Sequence, residues 1–302
     1  MLTVILDYKG LPSVLYGRVI LFKLAYRRIR HLSSEVGLLT LNGFKHCKAT
    51  WLGISVAFVF AWYDIKLRYR RTRLGLIWMT LTILIESLIL SMVFSHLFHE
   101  NFISYYPYVF SGIIAWKLIA GIFSESVTAI PNSKNYILNH NIPTPVFIIR
   151  ICLRNYLIFL HSSVFVFVVC SLSDSHFSSY FNLFLIALFA LVAIMTLFPY
   201  ALMISIIGAR FRDVVFLIPY CMQMIFYLTP IVWKRDVLSL KAAYYCSLNP
   251  FAAIIECMRA LFLNQWPSQI NILMVVSFGL FGWMLATYIY HVVEHRLCYW
   301  ML

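Results

Sequence analysis

Residues 64–97 read DIKLRYRRTRLGLIWMTLTILIESLILSMVFSHL, a basic cluster (Lys66, Arg68, Arg70, Arg71, Arg73) running straight into the apolar stretch Leu74–Leu97. A helix needs about 20 mostly apolar residues to cross the hydrocarbon core of a bilayer. Leu74–Leu97 meets that length, so it reads as a membrane span. Basic side chains beside a span set its orientation, with the Lys- and Arg-rich side inward. This stretch therefore predicts an integral membrane protein whose first span begins at the cytoplasmic face.

The same signature recurs at Pro107–Ile130, Val146–Cys170, Phe181–Ile207, Val214–Trp233 and Ile270–His291. The predicted fold is all-α, with six membrane-spanning helices over residues 74–302. Composition agrees: 62% of residues are hydrophobic and 12% charged, against about 25% charged in an average soluble domain. Lys134 follows the second span, Arg150 and Arg154 open the third, Arg210 and Arg212 separate the fourth and fifth, and Arg296 follows the sixth. The loops His96–Tyr106 and Ser171–Tyr180 carry no Lys or Arg, so both termini are expected in the cytoplasm.

Residues 1–73 form a basic preface to the spans. Across Leu11–Ile29, Leu11, Val14, Leu15, Val19, Leu21, Phe22, Ala25, Tyr26 and Ile29 share one side at helical spacing, opposite Lys23, Arg27, Arg28 and Arg30, with Arg18, Ile20 and Leu24 as exceptions. A basic amphipathic helix of this kind lies in the headgroup plane, or packs on a partner. Trp51–Trp62 is apolar but too short to cross, and reads as a second surface helix with tryptophans at both ends. Between spans five and six, Lys234–Ser268 breaks the charge pattern, and Asn249-Pro250 opens a short apolar segment ending near Leu263. Two short re-entrant helices in the outer leaflet fit it. Irregular backbone at that depth survives only under protein cover or beside water.

The net charge of +13 could point to nucleic acid, but 13 of the 24 Lys and Arg residues precede the first span and no helix-turn-helix or finger pattern accompanies them. Anionic lipid headgroups account for the charge. The seven cysteines stand singly, without CxxC or metal-ligand spacing, so neither a metal site nor a redox role follows. The N-terminus has no clean apolar core followed by small residues, and no cleaved signal is expected. The sequence also lacks a GxxxxGK[ST] phosphate loop, HExxH and GxSxG. Any ATP that drives this chain must be bound elsewhere.

Charges inside spans cost about 2.5–3.5 kcal/mol each on insertion scales and usually face a partner or water. Glu86, Lys117, Glu125, Arg154 and His161 are such residues. Glu86 and Lys117 suit an ion pair between spans one and two, serving either helix packing or the transport path. Arg150, closer to the cytoplasmic end, is expected to snorkel. Span five is rich in aromatic and Met residues, among them Tyr220, Phe226 and Tyr227; such a stripe suits lipid, core or a glycan path.

Several segments together resemble the permease subunits of type-2 ABC transporters that export O-antigen, capsule or teichoic-acid chains. They are DIKLRYRRTRLGLIW (64–78), YPYVFSGIIAW (106–116), RNYLIFLH (154–161), ARFRDV (209–214) with LTPIVW (228–233), and NPF (249–251) followed by Arg259. These segments place Arg154, His161, Arg210, Arg212, Asp213, Pro230, Asn249, Pro250 and Arg259 on the family's structural motifs. Lys117 departs from the family, which has an uncharged residue there. The resemblance implies a homodimer whose first and fifth spans line the path, so Glu86, Tyr220, Phe226 and Tyr227 become path candidates. It also implies a separate ATP-binding subunit, holding ATP and Mg, docked on the cytoplasmic loop Pro131–Pro145 and the helix near Asp64–Arg71. Asp64, Lys66, Asn132, Lys134, Asn139, Asn141 and Pro143 are the expected coupling residues. The implied cargo is a lipid-linked polysaccharide crossing the bacterial inner membrane, with Arg68, Arg70 and Arg71 gathering its diphosphate or merely contacting lipid headgroups. An exporter of drugs or lipids, or a membrane-embedded glycosyl- or acyltransferase, is the alternative.

Overall fold

The computed structural model describes residues 43–68, 70, 73, 75, 77–140, 142–172, 180–235, 239, 241 and 246–301, and every regular element among them is helical. The expected helix Leu11–Ile29, Arg71, Asn141 and residues 173–179 lie outside the described residues.

Helix α1, Gly43–Arg68, absorbs the short segment expected at Trp51–Trp62 and runs on through Asp64 and Lys66. It has two apolar faces. Val56, Ala57, Ala61 and Ile65 are buried, whereas Ile54, Phe58 and Trp62, four residues apart, stay exposed. Asp64, Lys66 and Arg68, expected to follow this helix, lie within it, and Lys66 and Arg68 sit in its last turn, where cations favour the C-terminal dipole.

Among the described residues, five helices are long and apolar enough to cross a membrane: α2 (Ile77–Leu97), α3 (Phe102–Ser126), α6 (Pro145–Leu172), α7 (Tyr180–Arg210) and α10 (Gln269–Met301). The chain is a multi-pass membrane protein. Helix α3 starts five residues before the expected Pro107, because Asn101 caps it and accepts a hydrogen bond from the Ile103 amide at 2.9 Å. Pro107 then lies inside the helix. Helix α3 is also the hub, packing on α2, α6, α7, α8 (Val214–Leu228) and α9 (Pro250–Phe262), with Val109, Phe110, Ile113, Ile119 and Ile122 fully enclosed. The expected loop Pro131–Pro145 contains two short helices, α4 (Ala129–Asn132) and α5 (Lys134–His140).

The fifth predicted span, Val214–Trp233, is not one helix. Helix α8 covers Val214–Leu228 and stops there. Pro230 is the cause: a proline drives the residue before it into extended backbone, and Thr229 has φ −101° and ψ 137°. The Thr229 hydroxyl turns back and donates to the Ile225 carbonyl at 2.7 Å. Beyond the turn, α9 (Pro250–Phe262) begins as its sequence predicts. Asn249 caps it, accepting from the Phe251 amide at 3.0 Å, and Pro250 occupies the first turn.

Helices α7 and α10 pack closely through glycine. A Cβ at Gly282 would meet the Tyr200 ring, and one at Gly279 would meet Thr196 Cγ2 at 2.8 Å. Tyr200 stacks on Phe278 at 4.2 Å and donates to its carbonyl at 2.8 Å. The tightest approach is at Gly208, where a Cβ would collide with the Val127 carbonyl group and meet Val127 Cγ2 at 2.9 Å. Backbone cannot swing aside as a side-chain tip can. Gly208→Ala should therefore cost about 1–3 kcal/mol by overpacking, read as a lower unfolding temperature of the purified chain in detergent.

Candidate functional site

Three constellations stand out, at three levels of the bundle. The first joins α1, α3 and α6 at the end expected to face the cytoplasm. Arg150 donates to Asp64 through Nε and Nη2 at 2.7 and 2.5 Å, a forked pair rather than the expected snorkelling. Its charge has a partner within reach, so it has no need to extend to the headgroups. Arg154 bridges the two carboxylates, giving one nitrogen to Asp64 at 2.9 Å and the other to Glu125. Asn155 adds a hydrogen bond to Glu125 at 2.7 Å. Arg68 reaches Glu125 more loosely, at 3.4 Å, and is half exposed.

Arg154 and Asp64 are only 13% and 15% exposed at their side chains, so solvent screens their pairing little. Beside them lies a cavity of about 240 Å³, lined by Arg68, Arg150, Arg154, Glu125, Asn132 and Ser133 among others. The cavity connects the joint to α4. Asn132 and Pro143 are exposed and Lys134 is half-buried. The Asn139 side chain lies outside the described residues.

The second constellation is at mid-depth. Lys117 Nζ lies 2.8 Å from Glu86 Oε2, the pair predicted from span positions. Below it, Thr80 Oγ1 hydrogen-bonds His161 Nδ1 at 2.9 Å and reaches Ser162 Oγ at 3.3 Å, tying α2 to α6. On α8, Phe216, Tyr220, Met224 and Tyr227 form one exposed stripe, with Tyr220 and Tyr227 65% and 67% exposed. Phe226 turns the other way and packs on Trp116 of α3, ring centres 5.8 Å apart.

The third constellation holds the break after α8. Arg259 on α9 is 2% exposed. Its Nη1 donates to the Pro230 carbonyl at 3.1 Å and to Glu256 at 2.6 Å, and its Nη2 donates to Pro230 at 3.1 Å and Ile231 at 2.8 Å. The guanidinium also lies 3.8 Å over the Tyr108 ring. Carbonyls freed at a helix C-terminus need donors, and a buried cation there also meets the negative end of the helix dipole. Asn249 Nδ2 donates to Thr229 Oγ1 at 3.0 Å, and the Tyr105 hydroxyl donates to the Val232 carbonyl. Lys234, paired with Glu100 at 2.5 Å, lies over the Tyr105 and Tyr108 rings.

The remaining motif residues sit apart from these three. Arg210 stacks over Trp300 at 4.8 Å, pinning the end of α7 to the end of α10. Arg212 and Asp213 are exposed before α8, and Asp213 occupies the cap position without a side-chain cap bond. Arg70 is exposed. Sequence reasoning missed Glu100 and Glu256 as partners, because neither lies inside a predicted span. The signal available was spacing: Glu256 stands three residues before Arg259 on a helix.

The model of the ABC-2 type transporter family matches residues 56–263. The O-antigen export system permease protein RfbA of Klebsiella pneumoniae is 24% identical over 201 residues, 67% of this chain and 77% of that protein. A protein of the same name from Myxococcus xanthus is 21% identical, over 67% of this chain and 78% of its own length. The polysialic acid transport protein KpsM of Escherichia coli is 21% identical, over 68% and 80%. The matched span takes in all three constellations, from Asp64 to Arg259, and the chain belongs to the ABC-2 type transporter family.

Proposed function

We propose that this chain is the membrane-spanning subunit of an ATP-driven exporter that moves a lipid-linked polysaccharide across the bacterial inner membrane. It works as a homodimer with a separate ATP-binding subunit, which supplies ATP and Mg. The observation that carries the reading is the α8 stripe Phe216–Tyr220–Met224–Tyr227, left uncovered on a helix packed against α3, the most buried of the five span-length helices. Flat aromatic faces with a polar tip suit the faces and hydroxyls of sugar rings. The names of the relatives point the same way.

In this reading both termini are cytoplasmic, and α8 with residues 229–233 completes a sixth crossing. Helix α9 dips into the outer leaflet, while α2 and α8 line the path between the two copies. The ATP-binding subunit docks on α4 and α5 and on the turn after them, through Asn132, Lys134, Asn139, Asn141 and Pro143, with Lys66 at the edge. Asp64 contributes from inside: through Arg150 and Arg154 it makes α1, α3 and α6 move together when α4 is pushed. Arg68, Arg70 and Arg71 gather the cargo's diphosphate by charge-assisted hydrogen bonds.

Replacing those three arginines together with Gln should abolish surface glycan while the chain still inserts at its normal level. Immunoblotting of membranes alongside surface-glycan staining checks both halves; normal glycan in the triple variant removes the diphosphate role. Deleting the chain should likewise abolish surface glycan. Accumulation of a drug or lipid, with glycan unchanged, would assign it to another cargo.

A further inference from the structure

Glu86 stands nine residues into α2, and Lys117 nine residues before the end of α3. At 1.5 Å per residue both lie about 14 Å from the same end of the bundle, near the middle of a hydrocarbon core about 30 Å thick. Neither can reach a headgroup while the two are bonded to each other. Yet the pair is open: Lys117 is 44% and Glu86 39% exposed. Paired charges at this depth belong beside water or under protein, not against acyl chains.

The approach to the pair along one side of α2 is partly polar. On α2, Trp78, Thr82 and Glu86 follow at four-residue spacing, and Trp78 and Thr82 are exposed. That line offers a ring, a hydroxyl and a carboxylate, with the Lys117 ammonium at its head. Around and past Glu86 the exposed face turns apolar, with Ile85, Ile89, Met92 and Val93 uncovered, so the polar line lies on one side of the pair only. On its inner side Lys117 borders a cavity of about 20 Å³, lined also by Asn155 and Ser162, room for one water molecule.

We propose that the Lys117–Glu86 pair is a cargo-contact site on the wall of a water-filled path. The ammonium donates to, and the carboxylate accepts from, the hydroxyl groups of a passing hydroxyl-rich chain. The pair has no net charge, so it offers donors and acceptors together without trapping either sign of ion. This site rests on the reading that α2 lines the path, and it adds a contact to that path at mid-membrane.

The test uses the whole transporter in cells, in a background whose native cysteines are replaced and which still exports. Lys117→Cys and, separately, Leu280→Cys on the exposed face of α10 are treated with a charged methanethiosulfonate; a hydrated thiolate attacks its sulfenyl sulfur, forming a mixed disulfide and releasing methanesulfinate. Lys117→Cys should react about tenfold faster than Leu280→Cys. Equal rates, or a disulfide formed between two Lys117→Cys copies, would overturn the proposal by placing the pair against lipid or against the second copy. A second arm removes both polar groups, Lys117→Met with Glu86→Leu. The apolar pair should keep chain abundance above either single variant, because no unpaired charge is left, with export still several-fold below the unaltered transporter. Full recovery of export would reduce the pair to a helix-packing contact and end the proposal. Thiol reactivity is read whatever the cargo, so a failure of the polysaccharide reading, seen as normal surface glycan on deletion, stays distinct from a failure of this one.

Discussion

Replacing Arg154 with Met should leave far less chain in the membrane and no measurable export. Arg154 is the side chain that spans both carboxylates of the inner joint, Asp64 from α1 and Glu125 from α3. Without it, two negative groups remain at the joint with Arg150 and the half-exposed Arg68 to balance them. Breaking a buried pair by removing one partner typically costs about 3–5 kcal/mol. Arg150 still holds Asp64 and Asn155 still holds Glu125, which puts the expected loss toward the lower end of that range. Thermal unfolding of the purified chain in detergent, beside its level in membranes, checks this. Arg154→Lys should fall between, since an ammonium keeps the charge but lacks the fork that reaches two acceptors. Arg150→Gln should be milder than either, because Arg154 remains on Asp64. A methionine variant with unaltered unfolding would mean the joint contributes nothing to the fold.

The second large effect is expected at the break after α8. Arg259→Met would strip the Pro230 and Ile231 carbonyls and Glu256 of their donor at a site closed to solvent. Hydrogen bonds to a charged group are worth about 1.5–3 kcal/mol each, so the summed loss should exceed that of any single surface variant. Gly112→Ala attacks the same place from α3. An added Cβ would run into the Arg259 guanidinium and lie 3.1 Å from the Ile231 carbonyl oxygen. A free arginine tip would move away at little cost, but this one is held by three acceptor groups and a tyrosine ring. The cost should be about 1–3 kcal/mol. The two changes act on one contact, so the double variant Arg259→Met with Gly112→Ala should lose less than the sum of the singles. Strict additivity in unfolding experiments would show that the glycine serves something other than the arginine.

Spans and chemistry were unequally legible in the sequence. The five long helices could be read from apolar length alone, and the ends of α6 and α7 fell within three residues of expectation. Depth counting also matched Glu86 to Lys117, since both lie on neighbouring spans joined by a short turn. Asp64 and Arg150 are 86 positions apart, and no periodicity sets the rotation of α1 against α6. Their pairing therefore came only from the packed structure. The break at Leu228 was written in the sequence as Pro230, but the uninterrupted apolar run through Trp233 concealed it. Arg259 was marked by its motif; its acceptors were not, because every residue carries a carbonyl and sequence cannot say which are left free.

Helix α8 has 15 residues and so rises about 22 Å, some 8 Å less than a typical hydrocarbon core. On the proposed path, with α8 starting at the inner boundary, the mouth would be sunk beneath the outer headgroups, in a basin floored by residues 229–233 and walled by α9. A sugar chain leaving α8 would meet hydrated ground before it had traversed the full thickness of oil, and the shortest helix of the crossing would thus be the one that trims the dry part of the journey.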